Sequence, residues 1–498
     1  MQHNADIVII GSGVGGSSLA YSLAASGRRI VILERGDYLK DSAEARDDIA
    51  IFQKGFYRPA EEWLGTDGES FLANNYYYVG GNSKFFGAVM YRYRKEDFLP
   101  RPHLDGNSPG WPMAYDDLEP WYERAEEVFR VRGATGEDPT EPPHSRPYSY
   151  TAVPDEPSIA SVRARLKRAG IHPASLPLAI DLEAWLGRAK TGWDAFPNTG
   201  LGKIDAEVGP LTRALQHPNV SVITGASVSR LETDETGKRI ISATFTKDGA
   251  VHSVTADVFA VAAGAVQTSA LLLRSANAAH PMGLANSSDQ LGRNFMNHNT
   301  SAMLVLDYKR NASVYQKTLA FNDFYNENNE FGAPLGNVQL LGHITGNILK
   351  ANFPVPAPSW LINIIARHAY GWFLTSEDLP NPESRVMVRH DRIVVNWVRS
   401  NMRAHQALIK KTKQVMRKAG FPVVLTHTFG RKTTSHQCGT ARLGSDPKTS
   451  VVDLNCRSHD ISNLYITDAS VLPTSAAVNP ALTIAALAIK AGASIGSR

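Results

Sequence analysis

The hydrophobic pattern of the chain changes period several times, and each change marks an expected element. Ile7–Ile10 is an unbroken apolar run of strand length, residues 11–16 form a glycine-rich turn, and residues 17–25 have helical spacing that stops near Gly27. Ile30–Leu33 is a second apolar strand, so the chain opens on a β-α-β unit of about 30 residues. Residues 37–75 are polar and irregular, and residues 76–93 are rich in aromatic side chains and glycine. Within the proline-rich text that follows, helices are expected over 115–131 and near 158–169. Alternation predicts three strands, over 220–231, Ile240–Lys247 and 251–262, with Asp234 and Gly237 turning the chain between the first two. Residues 265–275 are expected as a helix, and residues 300–400 as short strands among proline-rich loops. Residues 401–420 predict an amphipathic helix with Ala404, Leu408, Val415, Met416 and Ala419 on its apolar face. Its many lysines and arginines, Lys410 to Lys418, are expected to form a solvated surface. Residues 451–495 alternate strand, turn and helix and end in an alanine-rich apolar helix. The fold class is therefore α/β, mixed α+β overall.

Length and charge narrow this picture. At 498 residues the chain is too long for one simple core and points to two or three packed units. Lysines and arginines number 52 against 48 aspartates and glutamates, a net charge of +4, so no nucleic-acid partner is expected. Cys438 and Cys456 are the only cysteines; two cannot supply a disulfide framework or a structural zinc site, which fits a reducing, cytoplasmic setting. The first strand begins at about Ile7, leaving no room for a leader, so no signal peptide is expected. No apolar run reaches the roughly 20 residues of a membrane span. The nearest are residues 360–374, interrupted by Arg367 and His368, and 481–495, interrupted by Lys490. Residues 354–374, with Trp360, Ile364, Ile365, Trp372 and Phe373, are expected as a buried core helix, with a lid or a membrane-touching helix as the alternatives.

The first chemical motif lies in the opening unit. Gly11, Gly13 and Gly16 stand at the G-x-G-x-x-G positions between a strand and a helix. Glycine at the first two lets the backbone turn tightly and approach a pyrophosphate, and the third permits close strand–helix packing, with the helix N-terminus holding negative charge. Glu34 closes the next strand, where a carboxylate accepts hydrogen bonds from a ribose diol. The bland alternative is a glycine-rich turn without a ligand. The unit by itself does not separate FAD from NAD.

Further blocks do. Gly80-Gly81-Asn82-Ser83 runs on to Phe85, Phe86 and Gly87; His436-Gln437-Cys438-Gly439-Thr440 is followed by Thr467-Asp468-Ala469-Ser470 and by Val478-Asn479-Pro480-Ala481. With Ala263-Gly264-Ala265 and Leu291-Gly292-Arg293-Asn294, in this order along the chain, they resemble the glucose-methanol-choline (GMC) oxidoreductase family. Residues 101–194 and 300–430 match that family only loosely. The resemblance implies FAD and a Rossmann-like FAD-binding domain assembled from residues 1–100, 195–300 and 436–498. It also implies a substrate-binding domain from 101–194 and 301–435, with an antiparallel sheet and flanking helices roofing the flavin. Carried over by position, Gly80, Gly81, Asn82 and Ser83 line the flavin edge and Val228 holds adenine through its backbone. Asp468 and Ala469 meet the ribityl and pyrophosphate region, and Pro480 opens the helix at the pyrimidine ring. Phe85 occupies the position of a flavin-linking histidine, so FAD is expected to be non-covalent.

The chemistry implied is oxidation of an alcohol. An alcohol hydroxyl is about as weak an acid as water, near 15.7, so its carbon releases hydride only as the oxygen loses its proton, and a histidine base suits that step. His436 matches the family's base, which would take the hydroxyl proton while hydride moves to flavin N5, and Asn479 matches the family's hydrogen-bonding partner to the substrate oxygen. The residues leave another reading open for Asn479: with Pro480 it makes an N-cap and N1 pair for the helix that follows. His298, His459 and Cys438 are expected to be structural. The substrate expected is a small sugar or polyol, with an aryl or other apolar alcohol as the alternative. Oxygen, a quinone or another carrier would accept the electrons. A family lyase without net redox and a non-catalytic flavin-binding subunit are the competing classes.

Overall fold

A computed structural model describes residues 2–186, 194–200, 202–327, 329–352, 357–433 and 435–497. A five-stranded parallel sheet runs in the order Val220–Ile223, Ile30–Leu33, Ile7–Ile10, Val258–Val261 and Leu464–Ile466. Ile7, Val8 and Ile9 at its centre are wholly buried, as expected of strands covered on both faces. The first helix, Val14–Leu23, starts inside the glycine motif rather than after it, and Gly27, in left-handed conformation, ends the short turn beyond it. The C-terminal helix Ala481–Gly496 packs across Val14–Leu23 and Tyr115–Val128. Gly492 lets it approach Ser22, whose hydroxyl donates to the Ile489 carbonyl at 2.9 Å.

Two of the expected single strands are each two. Residues 220–231 contain Val220–Ile223 in the parallel sheet and Ser227–Thr233 in a separate sheet, parted by a turn at Gly225 with positive φ. Residues 251–262 likewise split into Ala250–Thr255 and Val258–Val261. Hydrophobic alternation runs through both breaks, so local pattern does not reveal that the chain changes sheets.

The second layer is a six-stranded antiparallel sheet, ordered Ala174–Ser175, Leu319–Phe321, Asn337–Leu340, Ala369–Ser376, Asn299–Leu306 and Val423–Thr428. Its two long strands pair without a break from Asn299↔Ser376 to Leu306↔Ala369. Period two divides their side chains. Met303, Val305, Trp372 and Leu374 join the core beneath the amphipathic helix Met402–Lys418, while Thr300, Ala302 and Phe373 face a cavity on the other side. A third sheet pairs Glu62–Gly65 and Ser70–Leu72 with Arg385–Arg389 and Arg392–Asn396, so it draws strands from both expected domains. Of the boundary expected near residue 194, residues 187–193 lie outside the described residues.

The 354–374 expectation is corrected. Residues 353–356 lie outside the described residues; beyond them come a two-turn helix, Ser359–Ala366, and the sheet strand Ala369–Ser376. Trp372 is wholly buried in the strand, whereas Trp360 in the helix is 64% exposed. Arg367 and His368 mark the change of element. Among the described residues no helix is long and apolar enough to cross a membrane.

Candidate functional site

The glycine motif and the ends of the parallel strands enclose a groove of about 230 Å³. Gly11, Gly13, Glu34, Gly81, Asn82, Ser83, Val228, Asp468, Ala469 and Pro480 line it, as does His436; Gly16 and Gly80 are not among its lining residues. Gly11 adopts φ +99° at the turn, which only glycine enters readily. A Cβ on Gly15, which the motif leaves unspecified, would fall 1.8 Å from the Thr467 carbonyl oxygen. That position therefore sets how closely the first helix approaches the Thr467–Asp468 loop. A Cβ on Gly16 would meet the Gly11 carbonyl oxygen at 2.0 Å, whereas one on Gly13 would project into open space.

These features suit a dinucleotide. Gly13 presents bare backbone to the groove, and the first helix carries no side-chain cap, leaving its leading amides for a pyrophosphate. Glu34 is buried, and its carboxylate accepts from the Ser12 amide at 3.0 Å, the Ser12 hydroxyl at 2.7 Å and the Gly36 amide at 2.9 Å. Burial raises its pKa against the pull of those donors. Ser12 thus fastens the acidic residue to the glycine turn, and its hydroxyl also accepts from the Gly80 amide at 3.1 Å. Gly80 and Ser83 stabilise each other's loop, the Ser83 hydroxyl donating to the Gly80 carbonyl at 2.6 Å. Asp468 faces the groove, but its carboxylate is committed to the protein: it accepts from the Gly264 amide at 2.9 Å, the Ser470 amide at 2.8 Å and the Thr268 and Ser470 hydroxyls. Its contact with a cofactor falls to main chain. Arg35, Tyr77 and Gln267 also line the groove, and none has a signature in the linear text.

At its far end the groove adjoins a cavity of about 400 Å³ under the antiparallel sheet, which His436 and Asn479 both line. Its wall is dominated by Phe52, Phe85, Phe196, Leu341, Phe373 and Phe429, with Lys317 and Asp194 as an ion pair. Phe85 stacks on Tyr76 with ring centroids 3.8 Å apart.

His298, expected to be structural, lies against the candidate base. Its Nδ1 lies 2.8 Å from Nδ1 of His436, and its Nε2 lies 2.8 Å from the Ser475 carbonyl oxygen. A carbonyl only accepts, so His298 Nε2 carries the proton. Burial holds His298 down to about 4, and burial first, then His298 and Lys317, hold His436 well below the ordinary imidazole range. Both rings are neutral near pH 7. A neutral His298 protonated on Nε2 has a bare Nδ1, which must accept from His436 Nδ1–H. His436 Nε2 is then left unprotonated, and it has no hydrogen-bond partner among the described residues. Around the pair, the Asn297 side-chain oxygen accepts from the His436 amide at 3.1 Å. Asp378, pushed up to about 6 by burial, accepts from the Asn297 amide at 3.0 Å and from the Trp397 indole at 2.7 Å. Asn294 to His298 in the linear text give no sign of this, because the partners are 81 to 177 residues away.

The capping reading of Asn479 is overturned. Pro480 itself occupies the N-cap of Ala481–Gly496, with no side-chain cap. The Asn479 side-chain oxygen instead accepts from Gln339 Nε2 at 2.9 Å. The helix still begins at the groove, where Pro480 and Ile484 line it. His459 is held by Ser450 and the Gly444 carbonyl, away from both spaces, and Cys438 is a buried thiol raised by burial.

Comparison with known proteins agrees with this arrangement. The model of the family described as "FAD dependent oxidoreductase" matches residues 6–283, and that described as "GMC oxidoreductase" matches residues 379–488. The chain is 28% identical to 6'''-hydroxyparomomycin C oxidase of Streptomyces lividus, over 99% of this chain and 91% of that protein. It is 26% identical to the fructose dehydrogenase large subunit of Gluconobacter japonicus, over 99% and 98%. The solved structure of pyridoxine 4-oxidase from Mesorbium loti superposes with a TM-score of 0.69 at 20% identity, covering 99% of this chain and all of that one, a likeness of fold.

Proposed function

Because this chain belongs to the glucose-methanol-choline oxidoreductases, FAD-dependent enzymes acting on alcohols, we propose that His436 is its catalytic base and an apolar alcohol its substrate. The observation that carries the assignment is the hydrogen-bonded series Ser475–His298–His436, which leaves one bare imidazole nitrogen at the junction of groove and cavity. The glycine turn, Glu34, residues 81–83 and the Asp468–Ala469 main chain would hold FAD, which when bound would supply the hydride acceptor. Phe85 offers no nucleophile, which favours a non-covalent complex.

The protein's own part is positional and acid–base. The alcohol proton passes to His436 Nε2 as the carbon–oxygen bond gains double-bond character. Transfer to a placed base contributes about 10²- to 10⁴-fold. Gln339 holds the Asn479 carbonyl oxygen, turning the Asn479 amide N–H groups toward the cavity, where one donates to the substrate oxygen. The open end of Ala481–Gly496 points its partial positive charge at the groove, where reduction gathers negative charge. The aromatic wall favours an aryl or other apolar alcohol over the sugar or polyol suggested by the polar text of residues 300–400, because polar hydroxyls buried there would lose their hydrogen bonds.

Anaerobic titration of the FAD-loaded protein with aryl, aliphatic and sugar alcohols, followed by flavin absorbance, tests this. Aryl or aliphatic alcohols should bleach the flavin, and His436→Ala should slow bleaching by at least about 10²-fold. Bleaching by sugars alone would overturn the substrate class. Unimpaired bleaching in the variant would overturn the base.

A further inference from the structure

We propose that the outer face of the substrate cavity's wall is a docking surface for an anionic lipid bilayer. The helix Gly346–Asn352 lines the cavity with Ile348 and Leu349. Ser359–Ala366 packs onto it through Ile362 and Ala366, which are buried with Leu349. What this second helix turns outward is apolar: Trp360 is 64%, Ile364 47% and Leu361 37% exposed. The turn Ile49–Gln53 also packs against Gly346–Asn352, tied to it by Asp48, which accepts from the Thr345 hydroxyl and from the Asn347 side-chain amide. Ile49 and Phe56 are exposed there too. A soluble surface leaves single large apolar residues exposed, but a run of them on packed neighbouring segments marks a place where water is displaced.

The charge around the patch chooses the occupant. Lys54, Arg58, Lys350 and Arg367 are exposed on the same segments, and Lys309 and Arg310 project from a turn fastened to the helix end by the Asn311 amide donating to the Arg367 carbonyl at 2.8 Å. Asp307 in that turn is spent on Arg165. Asp48 is spent as described, which leaves Asp47 as the exposed carboxylate on these stretches. Indole and aliphatic groups ringed by lysine and arginine fit the boundary between acyl chains and anionic headgroups, where the rings and stems sink and the cations stay with phosphate. A consequence, which does rest on the apolar-alcohol reading, is that the wall touching the bilayer is the wall of the cavity such an alcohol must enter.

The test is co-sedimentation of the full-length FAD-loaded protein with phosphatidylcholine vesicles and with vesicles containing about 30% phosphatidylglycerol. The protein should sediment with the anionic vesicles and much less with the neutral ones. Salt at about 1 M, where the Debye length shrinks to about 3 Å, should release it. Trp360→Ser, Leu361→Ser and Ile364→Ser combined should weaken binding at least about tenfold while FAD content and flavin bleaching by a soluble alcohol stay unchanged; none of the three lines the cavity. Lys350→Glu with Arg367→Glu should weaken it independently. Failure to sediment with anionic vesicles overturns the proposal, as does equal binding by the triple variant. So does a wild-type dimer in solution that the triple variant dissociates, since a second copy would then cover the patch.

Discussion

Replacing His298 with leucine isolates the role of the histidine pair. The substitution removes the acceptor for His436 Nδ1–H in a site where His298 is 1% exposed, and leucine supplies no acceptor in its place. A buried donor left without a partner costs about 1–3 kcal/mol. The imidazole avoids that cost by moving its proton to Nε2, which faces the open cavity, and the base is then blocked. At 1.36 kcal/mol per decade, the fraction of His436 in the working tautomer falls by about 5- to 150-fold. Stopped-flow flavin reduction under anaerobic conditions, at saturating alcohol, reads that fraction directly. His298→Asn puts a carbonyl oxygen near the former Nδ1 and should restore most of the rate, which a merely space-filling role for His298 would not explain. A leucine variant that binds FAD normally and reduces it at the wild-type rate, or an asparagine variant as slow as the leucine one, would refute this role of His298.

Four further outcomes follow from the geometry. Gly15→Ala drives a Cβ into the Thr467 carbonyl, a clash with backbone on both sides, so thermal unfolding should show a loss of about 1–3 kcal/mol or more and the purified protein should carry less FAD. Gln339→Leu frees the Asn479 side chain; one lost hydrogen bond of about 0.5–1.5 kcal/mol predicts a drop of about 2- to 12-fold in kcat/KM, measured with the best alcohol, with FAD content unaltered. Because His436 is held well below 6.5, it stays neutral on acidification, and the rate of flavin reduction should be flat from about pH 8 through 6.5 and fall only at lower pH. Stability has a different dependence: His298 and His405, held down to about 4 and about 3, are protonated in the unfolded chain first. Folding therefore weakens as pH falls below about 6.5, and urea unfolding at pH 5 against pH 7 measures the loss.

The linear text was sufficient wherever the determinant is local. Ile7–Ile10, the glycine turn and Ile30–Leu33 lie within one supersecondary unit, so spacing alone located the dinucleotide groove, and the amphipathic helix Met402–Lys418 was legible from its 3.6-residue period. The blocks around His436 and Asn479 carried a family pattern, and both residues line one cavity. What the text could not carry was set by contacts between distant segments. Residues 220–231 and 251–262 alternate continuously, yet each serves two sheets, because strand partners, not periodicity, decide where a sheet ends. Arg367 and His368 interrupt an apolar run that becomes helix on one side and strand on the other, since only the strand has a neighbour to pair with. His298 and His436 are 138 residues apart, as are the Gln339 and Asn479 partners at 140, and hydrogen bonds of that range exist only once the sheets have brought the chain together.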